Sequence, residues 1–315
     1  MRRIAWGTSK LLWLYLQHSR DTEWHYVIDD FTDRDAFENI PIRRSSELRS
    51  ENLDECHIYI FAVSNASLAA IIAKLASFGL ILGKNVHLYS ELFAPSFAKS
   101  MRDQLGWTVD PSLLQYSVAT TLNSRKAVHT TLCGTWLFLE TVRHLRAVAG
   151  DVAEVGCYEG GNALNCLLSK EWNAEKRYLL FDSFEGFPAP SQHDPKVKSG
   201  DYATEKLFGE IVAPFKVYSE VEIIKGFVPE TFAEVPANNK FSIVFYDCDL
   251  YQPALDTFAF FWDRMERGGI LLIHDYFAEP NGFHGVRQAT NEFFQPLGVE
   301  IMTFWQNTMA AVRKT

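Results

Sequence analysis

Asp151-Val152-Ala153-Glu154-Val155-Gly156-Cys157-Tyr158-Glu159-Gly160-Gly161-Asn162-Ala163 is the stretch whose reading decides the fold. An apolar strand runs into Glu154, a glycine turn follows, and a helix opens at about Asn162 carrying Leu164, Leu167 and Leu168. The next apolar run, Tyr178-Leu179-Leu180-Phe181, ends on Asp182. This is the layout of a nucleoside-binding α/β unit, in which the acid closing the second strand can accept both ribose hydroxyls. Gly156 and Gly160 would let backbone approach a ligand closely. The turn lacks the G-x-G-x-x-G spacing of a dinucleotide site, which argues against a pyrophosphate cofactor. An acid ahead of the first glycine suits the ammonium end of S-adenosylmethionine instead. The plainer alternative is a tight strand-to-helix turn with no ligand.

Outward from that stretch the chain reads as more strands and helices in alternation, which predicts a doubly wound α/β sheet. Val221-Glu222-Ile223-Ile224, Phe241-Ser242-Ile243-Val244-Phe245-Tyr246 and Ile270-Leu271-Leu272-Ile273 read as its later strands. Helices are expected over 254–265 and 285–294, and a closing hairpin over 299–305 and 308–312. Ahead of the unit, helices over 113–121 and 132–148 would cover the cofactor cleft. The breaker-rich run 94–111 is the expected boundary to an N-terminal unit. That unit has strands near Arg3-Ile4-Ala5-Trp6, Tyr26-Val27-Ile28, Ile58-Tyr59-Ile60-Phe61 and Val86-His87-Leu88. The expected organisation is a small Rossmann-like α/β domain at 1–100, a helical connection at 101–150 and the larger sheet at 151–315.

The 315 residues carry a formal net charge of −9, opposite to the basic balance of a general nucleic-acid binder. The five cysteines are scattered, with no C-x-x-C pair, which reads as reduced thiols in a cytoplasmic protein. Arg2-Arg3 ahead of Leu11-Leu12-Trp13-Leu14 superficially resembles a secretory start, but the apolar run is short and lacks a cleavage site. No run is long enough to span a bilayer, so no membrane role is expected.

Ligands of open parallel sheets bind outside the carboxyl ends of the strands. Glu154, Asp182, Asp247, Asp249, His274 and Asp275 all fall at such ends. Clustered carboxylates repel unless a cation or a shared proton relieves them, and a divalent metal is the simplest relief. An isolated Asp-x-Asp can instead serve a turn. The polar stretch from 191 to 200 reads as an exposed, mobile loop, and 191–204 with Tyr202 as a lid. Tyr251, Tyr276, Asn281 and His284 fall on loops at the same edge and are weaker candidates for acceptor contacts.

Five segments of the second half resemble the macrocin O-methyltransferase family: Gly150-Asp151-Val152-Ala153-Glu154-Val155-Gly156 with Gly160-Gly161, Phe181-Asp182-Ser183-Phe184-Glu185-Gly186-Phe187-Pro188, Asp247-Cys248-Asp249-Leu250-Tyr251-Gln252-Pro253, Gly268-Gly269, and Asp275-Tyr276. The resemblance implies a class I methyltransferase that uses S-adenosylmethionine and a divalent cation, Mg2+ or Mn2+, to methylate sugar hydroxyls in natural-product pathways. Carried over, it makes Glu154, Gly156, Tyr158, Gly160, Asp182 and Ser183 the cofactor site. Asp247 and Asp275 become metal ligands and Asp249 the general base. One position departs: the family has Asp-Asp-Tyr where this chain has His274-Asp275-Tyr276. His274 then either ligates the metal, favouring a first-row ion, or points elsewhere, or replaces a lost metal site and acts as base.

Three functions follow as expectations. The first is a metal-assisted O-methyltransferase acting on a sugar, nucleotide-sugar or related small molecule. The second is a metal-independent N- or O-methyltransferase with His274 or Asp249 as base. The third is a binding protein without turnover. The N-terminal unit, through Trp6-Gly7 and Ile28-Asp29-Asp30, resembles small Rossmann-like modules of sugar-modifying enzymes, and would hold a nucleotide-sugar or simply dock. Homo-oligomers are common among enzymes of this kind, but the sequence shows no interface signal.

Overall fold

The computed structural model describes residues 2–19, 23–124, 130–277 and 284–315. The first ninety residues build one sheet from β1 (Arg2–Trp6), β2 (Tyr26–Ile28), β3 (Ala36–Phe37), β4 (Ile40–Arg43), β5 (Cys56–Ile60) and β6 (Val86–Leu88). Its order is β3-β4-β2-β1-β5-β6, parallel except where β3 meets β4. Helices α1 (Lys10–His18) and α2 (Asn65–Ala76) complete the layers. α1 buries Leu11, Leu12, Leu14 and Tyr15, and the Ser64 hydroxyl caps α2 by accepting from the Ser67 N–H at 3.2 Å. β3 and β4 lie outside the expected strands, because Pro41 and short length hide an edge pair in the sequence.

The expected boundary near 94–111 holds no break at its start. α3 (Tyr89–Ser100) runs straight through Pro95. Its Tyr89 and Phe93 belong to the N-terminal core, while Phe97 and, just past its end, Met101 belong to the next one. α4 (Pro111–Asn123) starts on the Asp110 cap with proline at the first helical position, and the Thr131 hydroxyl caps α5 (Leu132–His144). α5 also spans both cores, with Leu132 and Cys133 in the first and Trp136, Leu137, Phe138 and Leu139 in the second.

The second sheet contains β7 (Asp151–Val155), β8 (Tyr178–Asp182), β9 (Val221–Lys225), β10 (Phe241–Tyr246), β11 (Met265–Ile273), β12 (Met302–Phe304) and β13 (Met309–Arg313). Its order is β12-β13-β11-β10-β7-β8-β9, with β13 antiparallel to both neighbours and the rest parallel. This is the doubly wound α/β sheet the sequence predicts, preceded by a smaller Rossmann-like sheet, and it agrees with the class I methyltransferase fold that the resemblance implies. Helices α6 (Gly161–Leu167), α7 (Phe208–Val212), α8 (Tyr251–Trp262) and α9 (Gly285–Phe294) connect the strands. β10 is buried along its whole length and β8 nearly so, as expected of strands covered on both faces. α8 begins and ends three residues earlier than its pattern suggests, and β11 starts at Met265, ahead of Gly268-Gly269. Each sheet reverses its strand order once, between β1 and β5 and between β7 and β10. The five cysteines are free thiols. Among the described residues no helix is long and apolar enough to cross a membrane.

Candidate active site

Both reversal points open onto one cavity of about 930 Å³. Val155, Gly156 and Tyr158 line it after β7, Asp182 and Ser183 after β8, and Gly226 to Glu230 after β9. Asp247, Cys248, Asp249 and Leu250 follow β10, and His274 and Asp275 follow β11. From the N-terminal sheet come Lys10 and Leu11 after β1 and Val63 after β5.

Gly156 is required where it stands. Its φ is +91°, and a Cβ there would lie 2.3 Å from the Asp247 carbonyl oxygen. This close approach draws the ends of β7 and β10 together. Asp182 is held by two backbone donors, the Tyr158 N–H at 2.7 Å and the Phe184 N–H at 2.7 Å. One lone pair remains on each carboxylate oxygen, and the group faces the cavity. Burial raises its pKa despite those donors. The Ser183 hydroxyl also faces the cavity and accepts from the Glu185 N–H at 3.1 Å.

Two expected cofactor residues stand behind the wall. Glu154 is 2 % exposed; its carboxylate accepts from the Tyr178 hydroxyl at 2.5 Å and from the Asn162 amide at 3.5 Å. Burial pushes its pKa up to about 8, against the Tyr178 hydrogen bond. Gly160, with φ +75°, precedes α6, and a Cβ there would meet the Phe215 ring at 2.6 Å. Its glycine serves helix packing, and neither residue lines the cavity.

At the other end Asp247, Asp249, His274 and Asp275 offer ligand atoms that all lie within 4.8 Å of one another. His274 Nδ1 sits 2.7 Å from Asp247 Oδ1 and 2.8 Å from Asp275 Oδ2. Its Nε2 lies 3.4 Å from the Thr308 hydroxyl. Asp249 and Asp275 adopt left-handed backbone, at φ +61° and +52°, a strained conformation concentrated at functional sites. Burial alone would lower the His274 pKa, but the Asp247 and Asp275 carboxylates outweigh it and hold it well above the usual histidine range. Burial, then the Asp275 carboxylate, push the Asp249 carboxyl well up. At Asp275 burial acts in the same sense but is overcome by His274 and Lys10. The second oxygen of Asp275 accepts from the Lys10 ammonium, across 265 residues of chain. Three carboxylates and one imidazole nitrogen are a donor set that suits a first-row divalent cation.

The residue types at the second sheet's strand ends drew attention to this cluster, but Lys10, Leu11, Val63 and Thr131 escaped the same reading. The strand-end rule, applied also to the first sheet, would have found Lys10 and Val63. The segment expected to move freely as a lid is tied down. Asp194 is 4 % exposed and accepts from the Tyr251 N–H at 2.9 Å, His193 stacks on Tyr251, and the Phe187 N–H donates to the Asp201 carbonyl. Tyr202 does line the cavity. The Tyr251 hydroxyl bonds Glu292, the Tyr276 hydroxyl bonds Asn291, and neither tyrosine lines the cavity; nor does His284. Asn281 lies outside the described residues.

Comparison with known proteins agrees with the motifs. The model of the Macrocin-O-methyltransferase (TylF) family matches residues 137–307. A relative from Streptomyces olivaceus, 8-demethyl-8-(2,3-dimethoxy-alpha-L-rhamnosyl)-tetracenomycin-C 4'-O-methyltransferase, is 24% identical over 187 residues, covering 53% of this chain and 69% of its own. Among solved structures, the O-methyltransferase NovP is 19% identical, with 72% of this chain and 99% of that chain covered at a TM-score of 0.49. CalS11, a calicheamicin methyltransferase, is 18% identical, with 64% and 91% covered at a TM-score of 0.47. With the family model matching more than half of its length, the chain belongs to the macrocin O-methyltransferase family of enzymes.

Proposed function

We propose that this methyltransferase transfers the methyl of S-adenosylmethionine to a hydroxyl of a sugar or sugar-derived small molecule, assisted by a divalent cation. The observation that carries the reading is the four-donor cluster facing Asp182 across one cavity. The S. olivaceus relative, named for a 4'-O-methylation on a rhamnosyl compound, supports the acceptor class.

In this reading the free lone pairs of Asp182 accept the ribose hydroxyls, and Ser183 lies beside the adenosine. Gly156 keeps the turn thin enough for the methionine part to pass. Asp247, Asp275 and His274, the last after release of its proton, would hold the cation, which would supply Lewis-acid polarisation of the acceptor hydroxyl. Asp249, which burial and Asp275 bias toward its protonated form, would be ionised once a cation offsets the Asp275 charge. It then takes the proton from that hydroxyl, so the oxygen can attack the sulfonium methyl while neutral thioether departs. No acid is needed for that leaving group, so the protein's larger contribution is alignment and exclusion of water. Thr308 would orient His274 through Nε2.

The test is methyl transfer from labelled S-adenosylmethionine to a panel of sugars, glycosides and nucleotide-sugars, before and after chelation. Chelation is expected to abolish turnover, with Mn2+ restoring it. Asp249→Asn should lower kcat by about 10²–10⁴-fold while leaving cofactor binding intact. Asp182→Ala should lose cofactor binding in a calorimetric titration. Full activity in the chelated enzyme would overturn the metal role and favour His274 or Asp249 as an unassisted base.

A further inference from the structure

We propose that Lys10 is a tethered cation of the reaction site: the N-terminal sheet supplies an ammonium that shares Asp275 with the divalent cation and so sets how tightly that cation binds. The inference rests on the metal-assisted reading above.

The argument starts from charge. Asp247, Asp249 and Asp275 converge on one small volume, and three carboxylates there need cations or a shared proton. Two side chains answer them. His274 stands between Asp247 and Asp275 through Nδ1, and Lys10 holds the opposite oxygen of Asp275. The two oxygens of Asp275 therefore face nitrogen atoms from two different sheets. Lys10 is the only lysine or arginine among the described residues that line the cavity.

Its place follows from the fold. β1 ends at Trp6, Gly7 turns the chain at φ +106°, and Lys10 opens α1 at the reversal point of the first sheet. Leu11 and Val63 from the same edge line the cavity beside it. The lysine side chain is 27 % exposed and the aspartate 17 %, and both residues line the cavity. A lysine serving only to dock two units would pair equally well at their rim. Here its partner is a group that would also ligate the metal. A positive charge next to a cation site opposes the second cation, and the opposition is strong where water is partly excluded.

The consequence is that metal affinity depends on the first turn of the N-terminal sheet being in place. The experiment compares Mn2+ binding, by electron paramagnetic resonance, in the chelated full-length wild type, Lys10→Met and Lys10→Arg, with S-adenosylhomocysteine titration as the control for a folded cofactor site. Lys10→Met is expected to bind Mn2+ about tenfold more tightly than wild type. Lys10→Arg should match wild type, and all three should bind S-adenosylhomocysteine alike. Binding seen only in Lys10→Met would be the same result in a stronger form. Unchanged or weaker Mn2+ affinity in Lys10→Met overturns the proposal while leaving the metal reading in place. No Mn2+ binding by any of the three proteins overturns both.

Discussion

Glu154 and Asp182 end neighbouring strands, yet their environments set them apart. Asp182 opens to the cavity, whereas Glu154 is sealed against Tyr178 and Asn162. Its pKa of about 8 has a consequence for stability. Between the ordinary glutamate range, near 4.3, and about 8, the folded chain holds a proton that the unfolded chain has released. Stability then falls as pH rises through that window. Glu154→Gln removes the titration while keeping a polar group of similar size. Urea denaturation of the chelated protein should show wild type losing about 2–3 kcal/mol more than Glu154→Gln between pH 5.5 and 8. Parallel losses in the two proteins would mean that Glu154 is ionised in the fold.

At the scale of elements, α8 shows how a distant residue sets a helix start. The Tyr251 N–H, at its first turn, donates to a carboxylate of Asp194, 57 residues earlier. Local pattern could not reveal that cap, which is why the helix begins ahead of its expected start. The same carboxylate pins the 191–204 segment, and Gly285 leaves it room, since a Cβ there would lie 2.2 Å from Asp194 Oδ1. Asp194→Ala should lower stability by about 1–2 kcal/mol. Hydrogen exchange should quicken at the Tyr251 amide and along 191–204, with the β7 amides unaffected. Unchanged exchange at Tyr251 would show that the cap does not hold the helix start.

At the scale of the molecule, the two sheets share more than a linker. α3 and α5 each contribute to both cores, Trp305 stacks on His18 at 4.8 Å and meets Phe93 edge-on at 5.2 Å, and Gln306 reaches Ser96 at 3.2 Å. Calorimetry should therefore show one unfolding transition for the whole chain, and Trp305→Ala should lower its midpoint without splitting it. Two resolved transitions would mean that the N-terminal sheet folds on its own. The sequence by itself determined the alternation of strands and helices, the two sheets, the family motifs and the acids at the strand ends. Those features follow from local periodicity, turn chemistry and residue type. The tertiary structure alone decided that Glu154 is sealed behind the cavity wall, that α3 runs unbroken between two cores and that Asp194 caps α8. It also decided that Lys10 meets Asp275 in the wall of the cavity. Each of these depends on which side chains from remote segments arrive at the same place, and spacing along a single chain carries no record of that arrival.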